Sequence, residues 1–202
     1  MPLHEPEQRP PGSLDHDLVE AISRRSDEVW TTLRERRGGR FHSFVPSDLH
    51  SAHEALLEVR ERGDSFLELG AGAGAVTIVA DLLGFDATGV EIEPWLVESA
   101  EVLAEEFDSE ARFVEGSFLP HDFDPQQFAD GDFHVTYDDS SSAFDGAGFD
   151  IEDFDVVYAF PWPEEEELFD ALIRGWARPD ACYLAYCAGS GVSMREARPG
   201  SR

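Results

Sequence analysis

The sequence predicts an α/β fold: a doubly wound, mainly parallel sheet of five to six strands with helices on both faces, preceded by an N-terminal helical appendage. Short buried strand patterns alternate with helical patterns over roughly 120 residues, which favours a parallel sheet. The first strand pattern also runs directly into a turn of alternating glycines and then into an apolar helix. A chain of 202 residues with 42% hydrophobic content can bury the core of one such domain with an appendage.

Residues 1–45 form the predicted appendage. Residues 1–13 are rich in proline and glutamate and predict a loose arm. Apolar residues then recur at helical spacing between Asp15 and Arg37, which predicts one or two amphipathic helices. This segment is locally basic, through Arg24, Arg25, Arg34, Arg36, Arg37 and Arg40. Such a segment could touch RNA, but docking on the acidic body is favoured, since that body repels phosphate groups.

The domain itself is expected to span residues 46–190. A helix capped by Ser47 or Asp48 and ending near Arg62 precedes the first strand. Strands are predicted at 65–69, 87–91, 112–115, 154–160 and 181–187, and helices at 75–83, 95–107 and 164–176. Residues 117–150 interrupt this alternation and are expected to hold a short helix and a lid. Residues 191–202 are expected to form a tail with at most one short edge strand.

The charge balance excludes several chemistries. The chain has 43 Asp and Glu against 15 Lys and Arg, a formal net charge of −28, and every one of those basic residues is arginine. The sequence therefore contains no phosphate-loop lysine, no Schiff-base lysine and no kinase-type strand lysine. Because the acidic residues are dispersed, we interpret them as adaptation to high salt rather than as a surface for a basic partner.

The location expected from the sequence is cytoplasmic. The first residues have neither the basic start nor the apolar centre of a secretory signal, and the longest apolar run is too short to cross a bilayer. No metal site is predicted. His50, His53 and Glu54 do not follow a metalloprotease order, so they are interpreted as a solvated helix face.

The clearest functional signal is the glycine turn of residues 70–74. Alternating glycines let a ligand approach the main chain, and the helix that follows offers unpaired N–H groups. Gly70-x-Gly72-x-x-Ala75 satisfies the dinucleotide fingerprint, and Glu91 follows at the position of a ribose-binding acid. A nicotinamide-dependent oxidoreductase is therefore one candidate.

Two features of this turn favour a different cofactor. Gly74 extends the pattern to Gly-x-Gly-x-Gly, a wider bend than a dinucleotide needs. Glu68 places a carboxylate near the position of a pyrophosphate, which it would repel. A ligand that carries an ammonium and a sulfonium group would instead be stabilised there.

The two motifs together resemble those of the class I S-adenosylmethionine-dependent methyltransferases, which have a Rossmann-like fold. The first is Glu68-Leu69-Gly70-Ala71-Gly72-Ala73-Gly74 and the second is Gly89-Val90-Glu91-Ile92-Glu93-Pro94. The resemblance covers about residues 44–188. Residues 44–48 are in addition similar to the segment before the first motif in bacterial Dot1-like methyltransferase domains. This resemblance implies S-adenosyl-L-methionine as the cofactor.

The resemblance also implies a set of cofactor-binding residues: Glu68, Gly70, Ala71, Gly72, Gly74, Glu91, Ile92, Ser117 and Phe118. In this set Glu68 would lie near the amino group of the methionine part. Glu91 would accept both ribose hydroxyl hydrogen bonds, and Ile92 would pack on the adenine. Ser117 stands where the family often has an acid that contacts the adenine amino group.

The substrate side is less defined. Phe160 stands where amino-group methyltransferases carry Asn or Asp, so a side-chain acceptor for a target amine is missing and backbone carbonyls would have to replace it. The candidate substrate-side residues are Asp48, Tyr158, Pro161 and Trp162. A general base is needed only if the nucleophile is protonated, and the candidates are Asp48, Tyr158, His134 and Tyr137. None has a partner at diagnostic spacing, so no catalytic residue is assigned.

Three functions follow from these patterns. The leading one is a methyltransferase acting on a small molecule or a basic protein side chain, with nucleic acid disfavoured by the acidic surface. The others are a nicotinamide oxidoreductase and a binding module that keeps the cofactor pocket without catalysis. Because the sheet has room for few strands, a second protomer or the N-terminal segment could complete it, and a homodimer is one expectation.

Overall fold

The structure is a computed structural model that describes residues 14–37, 46–128, 141–162, 165–187 and 191–197. The helices are α1 (His16–Arg37), α2 (Leu49–Val59), α3 (Ala75–Leu82), α4 (Pro94–Glu106) and α5 (Glu166–Trp176). The strands are β1 (Ser65–Leu69), β2 (Asp86–Glu91), β3 (Arg112–Glu115), β4 (Val156–Ala159), β5 (Cys182–Cys187) and β6 (Gly191–Glu196). Short 3₁₀ turns lie at Arg60–Arg62, Pro125–Phe128 and Ile151–Asp153.

The six strands form one sheet in the order β3-β2-β1-β4-β5-β6. The first five are parallel and β6 runs antiparallel to β5. Strand order reverses between β1 and β4, and in sheets of this kind ligands bind at the carboxyl ends of the strands beside such a reversal. Leu69 pairs with both Val90 and Ala159, so the ends of β1, β2 and β4 are level at this point. The predicted fold class is confirmed.

The chain beyond residue 190 corrects the predicted tail. Gly191–Glu196 pairs with β5 along its whole length, from Cys187–Gly191 to Cys182–Glu196. The single short edge strand that the sequence allowed is thus a full member of the sheet. Ala197, next to it, is buried and donates its N–H to the Ala181 carbonyl. The sheet therefore includes residues 191–196, which the sequence division placed outside the domain.

The sheet separates two core clusters because successive strand residues point to opposite faces. Phe66 and Tyr158 face the side of α2 and α3, and the apolar faces of α1 and α4 join the same cluster. Leu67 and Val157 face the other side, where they pack with α5 and with apolar residues of the segment between β3 and β4. Parallel strands covered on both faces read as continuous apolar runs, as β1 and β4 do.

Helix α1 docks on α4 as the sequence interpretation favoured. Arg25 donates to both carboxylate oxygens of Glu106, at 2.8 and 3.0 Å, near the end of α4. At the start of α4, the Arg36 guanidinium lies 5.1 Å from the centre of the Trp95 ring. The two helices therefore run antiparallel. Arg25 and Arg36 hold the helix on the acidic body, and Arg40 lies outside the described residues.

Helices α1 and α2 also meet at their first turns. The His16 and His50 rings stack with centroids 4.7 Å apart, and His50 Nε2 lies 3.1 Å from a Glu20 carboxylate oxygen. Within the ranges that the structure describes, no three His, Cys, Asp or Glu side chains are arranged to hold a metal ion. Among the same residues, no helix has both the length and the apolar character needed to span a membrane.

Candidate functional site

The glycine turn follows β1 and is anchored to β2. Gly70, Gly72 and Gly74 have φ values of 82°, 56° and 82°, which side chains rarely adopt. The N–H groups of Gly70 and Ala71 both donate to the Val90 carbonyl, at 2.9 and 2.8 Å. This pair of hydrogen bonds fixes the turn at the level where the parallel strands end.

The two sides of the turn differ in their packing. A Cβ built on Gly74 would lie 2.6 Å from Phe113 Cζ and 2.7 Å from Ala100 Cβ, so this glycine allows β3 and α4 to pack closely. A Cβ on Gly70 would meet no atom within 4 Å. The turn is therefore closed beneath Gly74 and open at Gly70, which leaves room there for a ligand to approach the main chain.

Glu91, the last residue of β2, binds the turn directly. Its side chain is 9% exposed, Oε2 accepts the Gly72 N–H at 2.8 Å, and Oε1 accepts the Glu93 N–H at 2.9 Å. Burial raises the pKa of this carboxyl, while the backbone donors act in the opposite direction. An ionised carboxylate has about four acceptor sites, so each oxygen retains capacity for a further donor such as a ribose hydroxyl.

Glu68 lies below the turn rather than at its open side. Oε2 accepts the backbone N–H of Thr77 at 2.9 Å and its hydroxyl at 2.5 Å, so the carboxyl closes the first turn of α3. The side chain is 5% exposed. Burial raises the pKa of Glu68 to about 8; the Thr77 hydrogen bonds oppose this shift and the charge of Glu91 adds to it.

This environment corrects one argument made from the sequence. Repulsion of a pyrophosphate by Glu68 requires a carboxylate that is charged at neutral pH. A pKa of about 8 leaves the group largely protonated there. Glu68 therefore gives no electrostatic discrimination between the two cofactors, and that choice depends on the fold and on Glu91.

The end of β3 brings Ser117 next to Glu91. The Gly116 N–H donates to the Glu91 carbonyl at 2.9 Å. Ser117 is buried and forms an isolated parallel bridge with Ser142, and its hydroxyl accepts the Leu119 N–H at 3.2 Å. The half-buried Phe118 ring packs 5.1 Å from that of Phe169. The segment after β3 thus returns to the sheet edge beside the site.

Two residues expected on the substrate side have structural partners. Asp48 is the N-cap of α2, and its Oδ1 accepts the N–H groups of His50 and Ser51, as the capping pattern predicted. Tyr158 is 0% exposed within the core cluster, and its hydroxyl donates to Ser47 Oγ at 2.9 Å. Burial raises the pKa of Tyr158, so the phenol remains protonated. The assignment of Tyr158 to the substrate side, and as a base, is corrected on this geometry.

The loop after β4 contributes the remaining substrate-side candidates. Pro161 is buried and Trp162 is half-buried. The Trp162 N–H lies 3.3 Å from Glu165 Oε2, and the Glu165 N–H donates to the Trp162 carbonyl at 2.8 Å. Phe160 packs edge-on against Tyr186, with ring centres 4.6 Å apart.

Glu165 is the residue that sequence reasoning missed. It is 5% exposed although it belongs to an acidic run that suggested only a favourable helix start. Its position three residues after Trp162 was the available signal, because an acid at this spacing can reach back to the N–H before a helix. The other base candidates, His134 and Tyr137, lie outside the described residues.

Comparison with curated proteins finds local similarity to methyltransferases. Ribosomal protein L11 methyltransferase from Thermus thermophilus is 41% identical over 66 residues, which is 33% of this chain and 26% of that protein. A lysine N-methyltransferase from Homo sapiens, named for its action on an ATP synthase component, is 37% identical over 54 residues, which is 27% of this chain and 23% of that protein. The similarity thus spans about a quarter of each relative. No protein-family model matches the chain.

Solved structures extend the likeness over most of the chain. An RNA methyltransferase from Salinibacter ruber in complex with S-adenosyl-L-homocysteine has a TM-score of 0.54 and 18% identity, covering 78% of this chain and 97% of that one. An O-methyltransferase from Bacillus cereus, also in complex with the homocysteine product, has a TM-score of 0.54 and 14% identity, covering 85% and 66%. The resemblance to class I S-adenosylmethionine-dependent methyltransferases is confirmed at the level of the fold.

Proposed function

We propose that this chain is an S-adenosylmethionine-dependent methyltransferase whose cofactor lies along the open side of the glycine turn. The observation that carries the proposal is the buried Glu91 carboxylate, which is hydrogen-bonded to the turn and keeps acceptor capacity for a ribose. The fold of the structural neighbours, two of which hold the homocysteine product, supports the same cofactor. The residues fit this cofactor, since Gly70 leaves the main chain open to it.

The proposed roles of the residues follow their positions. Glu91 binds the ribose, and Ile92, half-buried beside it, packs along the adenine. Ser117 and Phe118 close the adenine end. Gly70, Ala71, Gly72 and Gly74 border the methionine part, and Glu68 holds the start of α3 beneath it.

The reaction asks the protein for alignment and for exclusion of water. The sulfonium of the cofactor supplies an activated methyl carbon, which an acceptor nucleophile attacks in line. Glu91 and the turn fix the cofactor end of that line, and the half-buried Trp162 with Pro161 forms a wall on the other side. No side chain is assigned as a base, since Tyr158 is buried and protonated and Asp48 is a helix cap.

For the acceptor we propose a small molecule or a basic protein side chain, with the second favoured. The net charge of −28 attracts cationic groups and repels phosphates. The curated relatives with local similarity are named for methylation of a ribosomal protein and of a lysine in an ATP synthase component. Both names are consistent with a protein amine as acceptor.

The acidic, lysine-free composition further supports a working environment of high salt in the cytoplasm. Screening at molar ionic strength relieves repulsion between dispersed carboxylates. We expect the midpoint of thermal unfolding to rise as KCl is added up to molar concentration. A midpoint that does not change with KCl would contradict this part of the proposal. A homodimer remains a prediction that measurement of the mass in solution can check.

Thermal-shift titration in molar KCl tests the cofactor. Stabilisation by S-adenosylmethionine and its homocysteine product, but not by NAD, is the expected result. A shift with NAD alone would favour an oxidoreductase instead. No shift with either sulfur ligand would exclude the proposed function.

Turnover then separates an enzyme from a binding module. The packing of Phe160 against Tyr186 favours the module, since it places an aromatic ring where an amine acceptor is expected. Methyl-labelled cofactor is incubated with lysine-rich polypeptide, small amines and RNA in parallel. Label transferred to the polypeptide is expected. Binding without transfer to any of these acceptors would support the module.

A further inference from the structure

Trp30 on α1 contacts the glycine turn from outside the sheet. It is 7% exposed and clusters with Leu33, Ala73 and Leu96. A Cβ built on Gly72 would lie only 2.7 Å from Trp30 Cζ2. The edge of the indole therefore occupies the space that a side chain at position 72 would need.

Gly72 is thus held from two directions. The indole packs against its α-carbon, and its N–H donates to Glu91 Oε2 at 2.8 Å. With φ at 56°, Gly72 has a left-handed backbone that needs support from its surroundings. Movement of the indole would release this backbone and, through its N–H, the carboxylate of Glu91.

Contacts at both ends of α1 fix the position of the indole. Arg25 donates to Glu106 through two of its nitrogen atoms, and Arg36 lies over Trp95 at the opposite end of α4. Leu33 is 1% exposed and lies one helical turn after Trp30. The helix is therefore aligned along α4 so that Trp30 faces the turn.

We propose that Trp30 is a positioning residue of the cofactor site, which makes α1 a part of that site. The indole holds Gly72, and Gly72 holds the Glu91 carboxylate in the arrangement that binds the ribose. This inference rests on the proposed function. It assigns a role in cofactor affinity to a helix that the sequence places in a separate appendage.

The test compares Trp30→Ala with Ile22→Ala in the full chain. Ile22 is also fully buried on α1, but it belongs to the core cluster away from the turn. Both variants should lower the melting temperature. Only Trp30→Ala should weaken binding of S-adenosylhomocysteine, by roughly tenfold to a hundredfold, since small misplacement of a binding group is costly. Trp30→Phe should restore most of the affinity.

Two readouts separate a positioning role from a packing role. In the protein without ligand, Trp30→Ala should accelerate amide hydrogen exchange at Gly72 more than Ile22→Ala does. In the titration, the change in tryptophan fluorescence should be largely lost in Trp30→Phe and kept in Trp176→Phe. Trp176 packs on Phe123 across the sheet and serves as the matched control.

The outcomes are distinct. Equal affinity losses in Trp30→Ala and Ile22→Ala, or no loss in either, would overturn the inference and leave the proposed function intact. Unchanged exchange at Gly72 in Trp30→Ala would overturn it without reference to any ligand. Absence of binding by the unmodified protein would instead exclude the proposed function, and this inference with it.

Discussion

The two halves of the site are built in different ways. At the ends of β1 and β2, two buried carboxyl groups bind backbone N–H groups: Glu91 at Gly72 and Glu68 at Thr77. At the ends of β3 and β4, the site consists of a long segment that returns at Ser142 and of a loop that ends at Glu165. The cofactor half is therefore rigid and local in sequence, whereas the acceptor half is assembled from distant segments.

This difference indicates where substitutions should act. Changes in the cofactor half should affect stability and cofactor binding together, because the same hydrogen bonds serve both. Changes in the acceptor half should affect turnover and leave the cofactor affinity unchanged. The following predictions test this division, starting with the largest effect.

Glu91→Gln should weaken S-adenosylhomocysteine binding most. The carboxylate is expected to accept two ribose hydrogen bonds, and hydrogen bonds to a charged group contribute about 1.5–3 kcal/mol each. A loss of roughly a hundredfold or more in affinity follows, measured by calorimetric titration. Glu115→Gln is the matched control, since Glu115 is exposed and pairs in register with Glu91. Equal affinities for the two variants would refute the ribose assignment.

Gly74→Ala should destabilise the fold more than Gly70→Ala. Both glycines have φ of 82°, so both variants incur the cost of a left-handed backbone, about 1–2 kcal/mol. Only the Cβ at position 74 would also overlap Phe113 and Ala100, which adds roughly 1–3 kcal/mol. Urea unfolding in molar KCl measures the difference. Equal losses would show that the turn is not packed as described.

Glu68→Gln should remove one part of the pH dependence of stability. The pKa of Glu68 is raised in the folded state, so its favourable contribution is complete below the unfolded pKa of 4.5 and is lost as pH rises through about 8. The free energy of unfolding of the unmodified protein should therefore fall relative to the variant between these values, by at most about 1.4 kcal/mol per pH unit. A constant difference across this range would contradict the burial of a titrating carboxyl.

Trp162→Ala should have the smallest effect on the cofactor half. Because Trp162 belongs to the wall after β4, the dissociation constant for S-adenosylhomocysteine should stay within about twofold, while turnover falls by roughly tenfold or more. Calorimetry and a labelled-methyl assay measure the two quantities separately. A parallel loss in both would mean that the two halves are not independent.

The fold and the cofactor half could be predicted because their signals are local. The strand-turn-helix pattern, the glycine spacing and the position of Glu91 are all contained in a short stretch of sequence. Helix α1 was also predicted from periodicity alone. Its contact with Gly72 was not, because it joins residues that are far apart in the chain and has no motif.

Other features lacked a signal for physical reasons. A parallel strand buried on both faces gives no alternation of polar residues, so the sequence does not show which face Tyr158 takes. The burial of Glu165 is hidden within a run of acids that looks like a solvated helix start. The edge strand β6 is short and half-exposed, so its pattern resembles that of a tail.

The most direct test of the central claim is a crystal structure with S-adenosylhomocysteine bound. The ribose hydroxyl oxygens should lie within about 2.6–3.2 Å of the two Glu91 carboxylate oxygens. The methionine part should lie along the open side of Gly70, and the Trp30 indole should still contact Gly72. A ligand bound away from the glycine turn, or a Glu91 side chain that contacts only the Gly72 and Glu93 N–H groups, would contradict the account.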